Sequence, residues 1–303
     1  MIDAKNNVPV KDAKFSILIP TWNNLGFLKL CIGSIQKNSH FKHQIIIHIN
    51  EGTDNTLEWV KSNNFCYTYS KTNIGICWAM NAMRSLVQTD YIVFMNDDMY
   101  VCPDWDLELW NEIEQLDHTN FFLSSSVIQP RKFWCKSIIS PVPMGESLVD
   151  FDEKELLENY KYLPHGDWSG STWPPNIVHK DTWDLVGGYS IEFSPGMYSD
   201  PDFSAKLYLA GIRYYKGVDK SRVYHFEART TGRVKRNNGS QQFLFKWGIT
   251  SSSFMTYILH RGEPYKKYQS SKLLIKLALI RSKLKLFLWS VLPQGSVKKL
   301  WKV

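Results

Sequence analysis

Apolar residues early in the chain fall in short runs, and each run stops at a polar cluster. Residues 15–19 predict a strand that ends at Pro20 and opens into the loop Thr21-Trp22-Asn23-Asn24. Leu25, Leu28, Cys31, Ile32 and Ile35 then recur at helical spacing. Residues 45–49 predict a second strand. It ends in the turn Asn50-Glu51-Gly52-Thr53-Asp54, which also caps a helix over residues 56–60. A weaker strand over 66–69, a turn at Asn73-Ile74-Gly75 and a helix over 77–87 follow. Next, Tyr91-Ile92-Val93-Phe94-Met95 runs straight into Asn96-Asp97-Asp98. Strands alternating with helices predict a mostly parallel sheet with right-handed crossovers.

The last of these runs organises the rest. A buried strand cannot hold Asp97 and Asp98 in its middle, because an unpaired carboxylate is too costly to desolvate. The two acids therefore mark the point where the strand leaves the sheet, and open α/β sheets bind ligands at that edge. Two hard oxygen ligands there suit Mg²⁺ or Mn²⁺, whereas a loop with two solvated acids explains them equally well on these residues alone.

Beyond Asp98 the rhythm changes. Pro103-Asp104-Trp105 opens a helix through Leu116, and residues 121–128 predict a strand. Residues 129–175 are rich in proline and read as irregular. Residues 176–186 lead to Gly187-Gly188-Tyr189. Residues 200–210 predict a helix stopped by Gly211, and short strands follow over 213–215 and 222–226. No repeat or low-complexity linker interrupts the 303 residues.

Composition narrows the class. Hydrophobic residues at 44% and charged residues at 21% are those of a globular chain. Twelve Trp suit carbohydrate faces and an ordinary core alike. Cys31, Cys66, Cys77, Cys102 and Cys135 are odd in number and form no CxxC, which argues against a disulfide framework or zinc site and for a reducing, cytoplasmic setting. The polar first residues show no secretory signal. The net charge of +7 is concentrated in the tail: residues 261–303 hold 11 Lys or Arg and one acid. The nearly neutral body carries no basic face for nucleic acid.

Neither GxGxxG after the first strand nor GxxxxGK[ST] is present. The first loop lacks a glycine that would let a pyrophosphate approach, so a base or ribose fits that edge better. Seven landmarks in order carry a resemblance. They are Ile19-Pro20-Thr21-Trp22-Asn23, Asn50-Glu51-Gly52-Thr53-Asp54-Asn55-Thr56, Asn73-Ile74-Gly75 with Asn81, Asn96-Asp97-Asp98, Gly187-Gly188-Tyr189, Ser199-Asp200-Pro201-Asp202-Phe203 and Val223-Tyr224-His225. Together, over about residues 14–230, they resemble family 2 glycosyltransferases with the GT-A fold. Asn50, Asn96 and Ser199 stand where the family carries acids, and Met80 where it often has Arg.

The resemblance implies roles. Pro20, Thr21, Asn23, Glu51, Asn73, Gly75, Asn81, Asn96 and Asp97 would contact the nucleotide, with Glu51 on the base. Asp98 would bind Mn²⁺ or Mg²⁺, with His225 as partner; the residues alone leave His225 an ordinary histidine at a strand end. Asp200 would be the general base, kept ionised by the dipole of the helix it precedes, though a plain N-cap explains it as well. Arg229, Arg233, Trp173 and Asp202 would serve the diphosphate or acceptor. Trp168 and Tyr198 read as sugar walls or as core.

The expected fold is thus α/β and GT-A-like: a domain over residues 1–239 with helices flanking the sheet, then a helical, basic extension over 240–303. The expected activity is inverting transfer from a nucleotide-diphosphate sugar, UDP-sugar favoured, to a saccharide or lipid-linked glycan. Its rivals are an inactive sugar-nucleotide binder and a nucleotidyltransferase. In the tail, residues 272–292 read as one helix with five cations. Each cation costs ~2.5–3.5 kcal/mol at a bilayer centre, which argues against a span. Attachment to the cytoplasmic face of an anionic membrane tolerates them, helped by Lys298, Lys299, Lys302, Trp289 and Trp301. The competing reading packs the helix on the domain.

Overall fold

A computed structural model describes residues 2–6, 10–227, 237–266 and 271–291 of the chain. The first half alternates as the pattern predicts: β1 (Ile2–Lys5), β2 (Ser16–Trp22), α1 (Leu25–Asn38), β3 (Gln44–Asn50), α2 (Thr56–Ser62), β4 (Cys66–Ser70), α3 (Gly75–Arg84) and β5 (Tyr91–Phe94). There follow β6 (Met99–Val101), α4 (Trp105–Glu114), β7 (Phe121–Ile128), β8 (Ile138–Ile139), α5 (Glu153–Asn159), β9 (Trp168–Ser169), β10 (Asn176–His179), α6 (Lys180–Leu185), α7 (Ser199–Leu209) and β11 (Tyr214–His225). Three helices, α8 (Gly239–Trp247), α9 (Ser251–Tyr257) and α10 (Lys272–Val291), complete the described residues.

The strands form one sheet in the order β1-β4-β3-β2-β5-β10-β7-β11-β6, with β8 on β7 and β9 on β11. The run β4-β3-β2-β5 is parallel. Beyond it the sheet is mixed: β10 is inserted antiparallel between β5 and β7, and β6 and β9 pair antiparallel with β11. Strand β3 is buried along its whole length because helices cover both faces of the sheet. Ile17, Ile19, Ile45, Ile47 and Val93 meet α1 and α4 on one face. Leu18, Ile46, Ile92 and Phe94 meet α3, α6 and α7 on the other. The two-residue period of the strands makes that division.

Strand β2 runs through Pro20 instead of ending there. The Leu18 carbonyl accepts from Met95 on the β5 side. Pro20 faces the same side two residues later, past the end of β5, so its missing N–H costs no ladder bond. At the next level up, Asp54 joins the starts of two helices. One carboxylate oxygen accepts from the Leu25 N–H at 2.8 Å, the other from the Thr56 N–H at 3.2 Å.

Residues 129–175 are less irregular than their prolines suggest. They contain α5, whose N-cap Asp152 accepts from the Glu155 N–H, but α5 buries only Leu156, too little to leave an apolar period. At the other end, Phe243, Leu244, Phe254, Met255 and Leu259 are buried, and α8 and α9 pack against α7. The boundary expected at 239/240 thus falls within a continuous core. Helix α10 joins that core at Ala278 and touches α8 and α9, with Ala278 and Ser282 its buried residues.

Trp168 belongs to the core and not to a sugar wall. Its indole N–H donates to the Ser126 hydroxyl at 3.0 Å, and its ring covers Gly217 on β11. A Cβ at Gly217 would meet that ring at 1.8 Å. Gly217→Ala should therefore destabilise the protein by about 1–3 kcal/mol, the usual cost of overpacking, as measured by the urea midpoint at constant m-value. An unchanged midpoint would show that the ring is not held there.

Candidate active site

The carboxyl ends of β2 and β5 open into a cavity of about 670 Å³. Its far walls come from the segment after β7, from the loop before α7 and from the end of β11. Ten of the expected site residues line it: Pro20, Thr21, Asn73, Gly75, Asn96, Asp97, Asp98, Trp173, Asp200 and His225.

The acidic turn is shaped by its two flanking strands. After β5 the chain turns through Asp97 and Asp98 and returns as β6, which pairs antiparallel with β11 in the register His225↔Met99. The Phe226 N–H donates to the Asp98 carbonyl at 3.1 Å. This register sets His225 Nε2 3.2 Å from an Asp98 carboxylate oxygen. Burial alone would lower the His225 pKa; the Asp98 charge and hydrogen bond outweigh it and raise the imidazole above its ordinary value. Asp97 turns the other way and accepts from the Thr21 hydroxyl at 2.6 Å. Burial, with the neighbouring Asp98 charge, pushes Asp97 up. Asp98 is thus the carboxylate presented beside an imidazole, while Asp97 is held by β2.

The pair Asp98 and His225 offers one oxygen and one nitrogen donor at the cavity wall. Among the described residues no group of three His, Cys, Asp or Glu converges. Two protein donors suit a hard divalent ion that completes its shell with substrate phosphates and water. Gln129 stands behind the pair: its side-chain nitrogen is 3.2 Å from His225 Nδ1, and its buried amide oxygen has no partner among the described residues. Turning the amide would place an acceptor on Nδ1 and leave the Nε2 lone pair free for a metal. Sequence reasoning missed Gln129, which carries no signal beyond following a buried strand.

Asp200 is placed by a second set of contacts. Helix α7 begins at Ser199, after Tyr198 in a left-handed conformation, so Asp200 sits in the first turn and is not the N-cap. Its carboxylate lies 3.5 Å from the Tyr189 hydroxyl. Desolvation raises it to about 7, offset in part by the Tyr189 hydrogen bond and the Arg261 charge. The helix dipole therefore does not keep it fully ionised, contrary to expectation; burial outweighs it. Tyr189 is itself fixed. It stacks on Phe203 at 4.8 Å, and Asn81 both donates to its carbonyl at 2.7 Å and accepts from its N–H at 2.8 Å.

Four expected ligand contacts change role. Asn81 lies outside the cavity and clamps Tyr189. Glu51 accepts from the Trp22 indole at 2.9 Å and from Asn23 at 3.2 Å, so it holds the Trp22 ring at the wall and does not line the cavity itself. Asn23 accepts from the Thr53 N–H at 2.8 Å and ties the ends of β2 and β3. Asp202 faces away, accepting from the Trp247 indole and pairing with Lys246, both at 2.9 Å. Asp200 and Asp202 are two apart on one helix turn and point to different sides. Arg229 and Arg233 lie outside the described residues.

Two landmark turns meet at the end of β3. Asn50 accepts from the Ile74 N–H at 2.8 Å, and Asn73 accepts from the Gly75 N–H at 2.8 Å. Gly75 has φ +77°, and a Cβ there would meet the Pro195 backbone at 2.6 Å. The turn thus packs on the loop that leads to Asp200. Opposite, Phe133 and Trp173 line the cavity, and the exposed Trp134 packs on both. The Arg261 guanidinium covers Trp173 at 3.9 Å.

Residues 16–164 match the family model described as glycosyl transferase family 2. No curated protein matches the sequence. Among solved structures, S. aureus TarS 1–349 superposes with a TM-score of 0.50 at 18% identity, over 70% of this chain and 60% of that one. The same protein in complex with UDP gives 0.51 at 16% identity, with the same coverage. GalNAc-T7 with UDP, GalNAc and Mn²⁺ gives 0.55 at 12% identity, over 93% of this chain and 57% of that one. This chain therefore spans less than two thirds of each of those chains, and at such identities the likeness is one of fold. The matched segment contains β2 through β5, the acidic turn and the two landmark turns. Over residues 16–164 the sequence thus matches glycosyl transferase family 2, and the chain has an α/β fold like that of the GT-A glycosyltransferases.

Proposed function

We propose that the cavity binds a nucleotide-diphosphate sugar and transfers the sugar, with inversion, to a hydroxyl of a saccharide or lipid-linked glycan. The reading rests on one observation: the Asp98–His225 pair and the carboxylate of Asp200 line the same cavity. The first suits a diphosphate with its counter-ion and the second suits an attacking hydroxyl. A UDP-sugar is the favoured donor, because TarS and GalNAc-T7 of the same fold were solved with UDP. Its base would lie against Trp22, held by Glu51, between the ends of β2 and β3.

In the transfer, the acceptor oxygen attacks the anomeric carbon, the bond to the diphosphate oxygen breaks, and the hydroxyl proton passes to Asp200. A carboxylate with a pKa of about 7 is well matched to that task near neutral pH. Tyr189 orients it and favours its charged form. Asp98 and His225 would hold Mn²⁺ or Mg²⁺, which supplies positive charge to the departing diphosphate. The acceptor sugar would stack on Phe133, Trp134 and Trp173, whose aromatic faces suit the apolar face of a pyranose. A lipid-linked glycan would present its hydroxyl at the cytoplasmic face of a membrane.

Asp98→Ala should remove the metal dependence of donor binding and leave the fold intact. Titration of UDP with and without Mn²⁺ checks it, and equal affinities in parent and variant under both conditions would exclude Asp98 as a ligand.

Asp200→Asn should keep UDP affinity and lower turnover by at least ~10²-fold, the scale of general-base catalysis. In the parent, kcat/KM should rise with pH through an acid limb near 7 as Asp200 loses its proton, and the variant should lack that limb. The same shift predicts a stability effect. The folded state holds the Asp200 proton between about 4 and about 7, where the unfolded chain has released it, so this group makes stability fall as pH rises through that window. The variant should not show that fall. A near-parental rate would exclude Asp200 as the base.

A further inference from the structure

Helix α10 meets the rest of the protein along a narrow strip. Ala278 and Ser282 are its buried residues, and Trp289 reaches Phe245 of α8 with ring centroids 5.9 Å apart. The opposite side carries Leu273, Leu277, Ile280, Leu284, Phe287 and Val291, each at least 44% exposed. Their spacing alternates four and three residues, which keeps all six within about 40° of one line along the helix. Lys272, Lys276 and Lys283 run along one flank of this stripe and Arg281 along the other, and α10 contains no acid. Four of the five cations therefore border the apolar stripe, on both its sides, and the fifth, Lys285, lies over Trp289 on the domain side at 5.0 Å.

That spacing is also the seam of a coiled coil, so a second copy of this chain is the obvious rival occupant. Charge decides against it. Lys276, Arg281 and Lys283 fall at positions beside the seam where pairing helices place opposite charges, and a second α10, which contains no acid, would set cation against cation there. The five cations of α10 weigh against a bilayer span, and no helix among the described residues is long and apolar enough to cross a membrane. A surface with an apolar interior and an anionic boundary satisfies both features. Leucine and phenylalanine enter the acyl region while the flanking ammonium and guanidinium groups stay among the headgroups. We infer that α10 docks on an anionic lipid surface through the stripe from Leu273 to Val291, with its Ala278 and Ser282 side holding the domain. This inference is independent of the sugar-transfer reading.

Flotation of the full-length protein on density gradients tests it, using vesicles of equal parts phosphatidylglycerol and phosphatidylcholine beside vesicles of phosphatidylcholine alone. The protein should float with the anionic vesicles and much less with the neutral ones. Salt at about 1 M, where screening acts within about 3 Å, should weaken the association. Leu277→Glu with Leu284→Glu should reduce partitioning at least about tenfold, since each leucine buried in an apolar phase contributes more than that. Lys276→Gln with Lys283→Gln should also cost about tenfold or more on anionic vesicles. All four positions are solvent-exposed, so melting temperatures should match the parent. The inference is overturned if the parent stays in the soluble fraction at low salt, if both double variants float like the parent, or if light scattering shows a dimer that the leucine variant dissociates.

Discussion

The pairing of β6 with β11 is the contact on which the site depends. Two carboxylates directly after a buried strand would otherwise be driven into solvent by their desolvation cost. The return of the chain as β6 keeps Asp98 at the cavity, and the register on β11 delivers an imidazole to it. A shift of one residue in that pairing would turn His225 to the other face of the sheet and leave the acid without its partner. Strand β11 can do this because it is long. It pairs in parallel with β7 through an irregularity between Val218 and Arg222, then continues to the edge where β6 lies.

The second half of the site is held by side chains more than by the sheet. Asn81 on α3 fixes the backbone of Tyr189, Tyr189 stacks on Phe203 of α7, and its hydroxyl meets Asp200 one turn earlier on that helix. Gly188 permits the approach, since a Cβ there would meet the Asn81 amide oxygen at 2.4 Å. The first half of the fold therefore positions Asp200 through α3, although Asp200 itself lies more than a hundred residues later. The opposed environments of the acids follow. Asp97 and Asp200 are pushed up by burial, and Asp98 lies 3.2 Å from the His225 imidazole.

Much of this was legible in the sequence because burial leaves periodic marks. The strands from Ser16 to Phe94 and the helices between them follow from apolar spacing, and the acidic turn follows from the cost of burying Asp97 and Asp98. What sequence could not give was the direction of side chains at the ends of elements. Glu51, Asn23 and Asn81 stand at the expected landmarks, yet their polar atoms are spent on Trp22, Thr53 and Tyr189. Asp202 shares a helix turn with Asp200 and faces Trp247 and Lys246. Trp22, Gln129 and Trp134 were missed because a single aromatic or amide has no period to betray it. The insertion of β10 between β5 and β7 was equally hidden, since four residues cannot announce the direction in which they pair.

The central claim is that one carboxylate, Asp200, drives a direct displacement at the anomeric carbon, with no covalent sugar intermediate. The stereochemistry of turnover tests this most directly. Proton NMR can follow UDP-N-acetylglucosamine, whose sugar is α-linked, as the protein with Mn²⁺ consumes it with water or an added saccharide as acceptor. The account predicts that the first-formed product carries the sugar in the β configuration. Initial appearance of the α product would mean that configuration is retained, and would contradict the assignment of Asp200 as sole base in a single displacement.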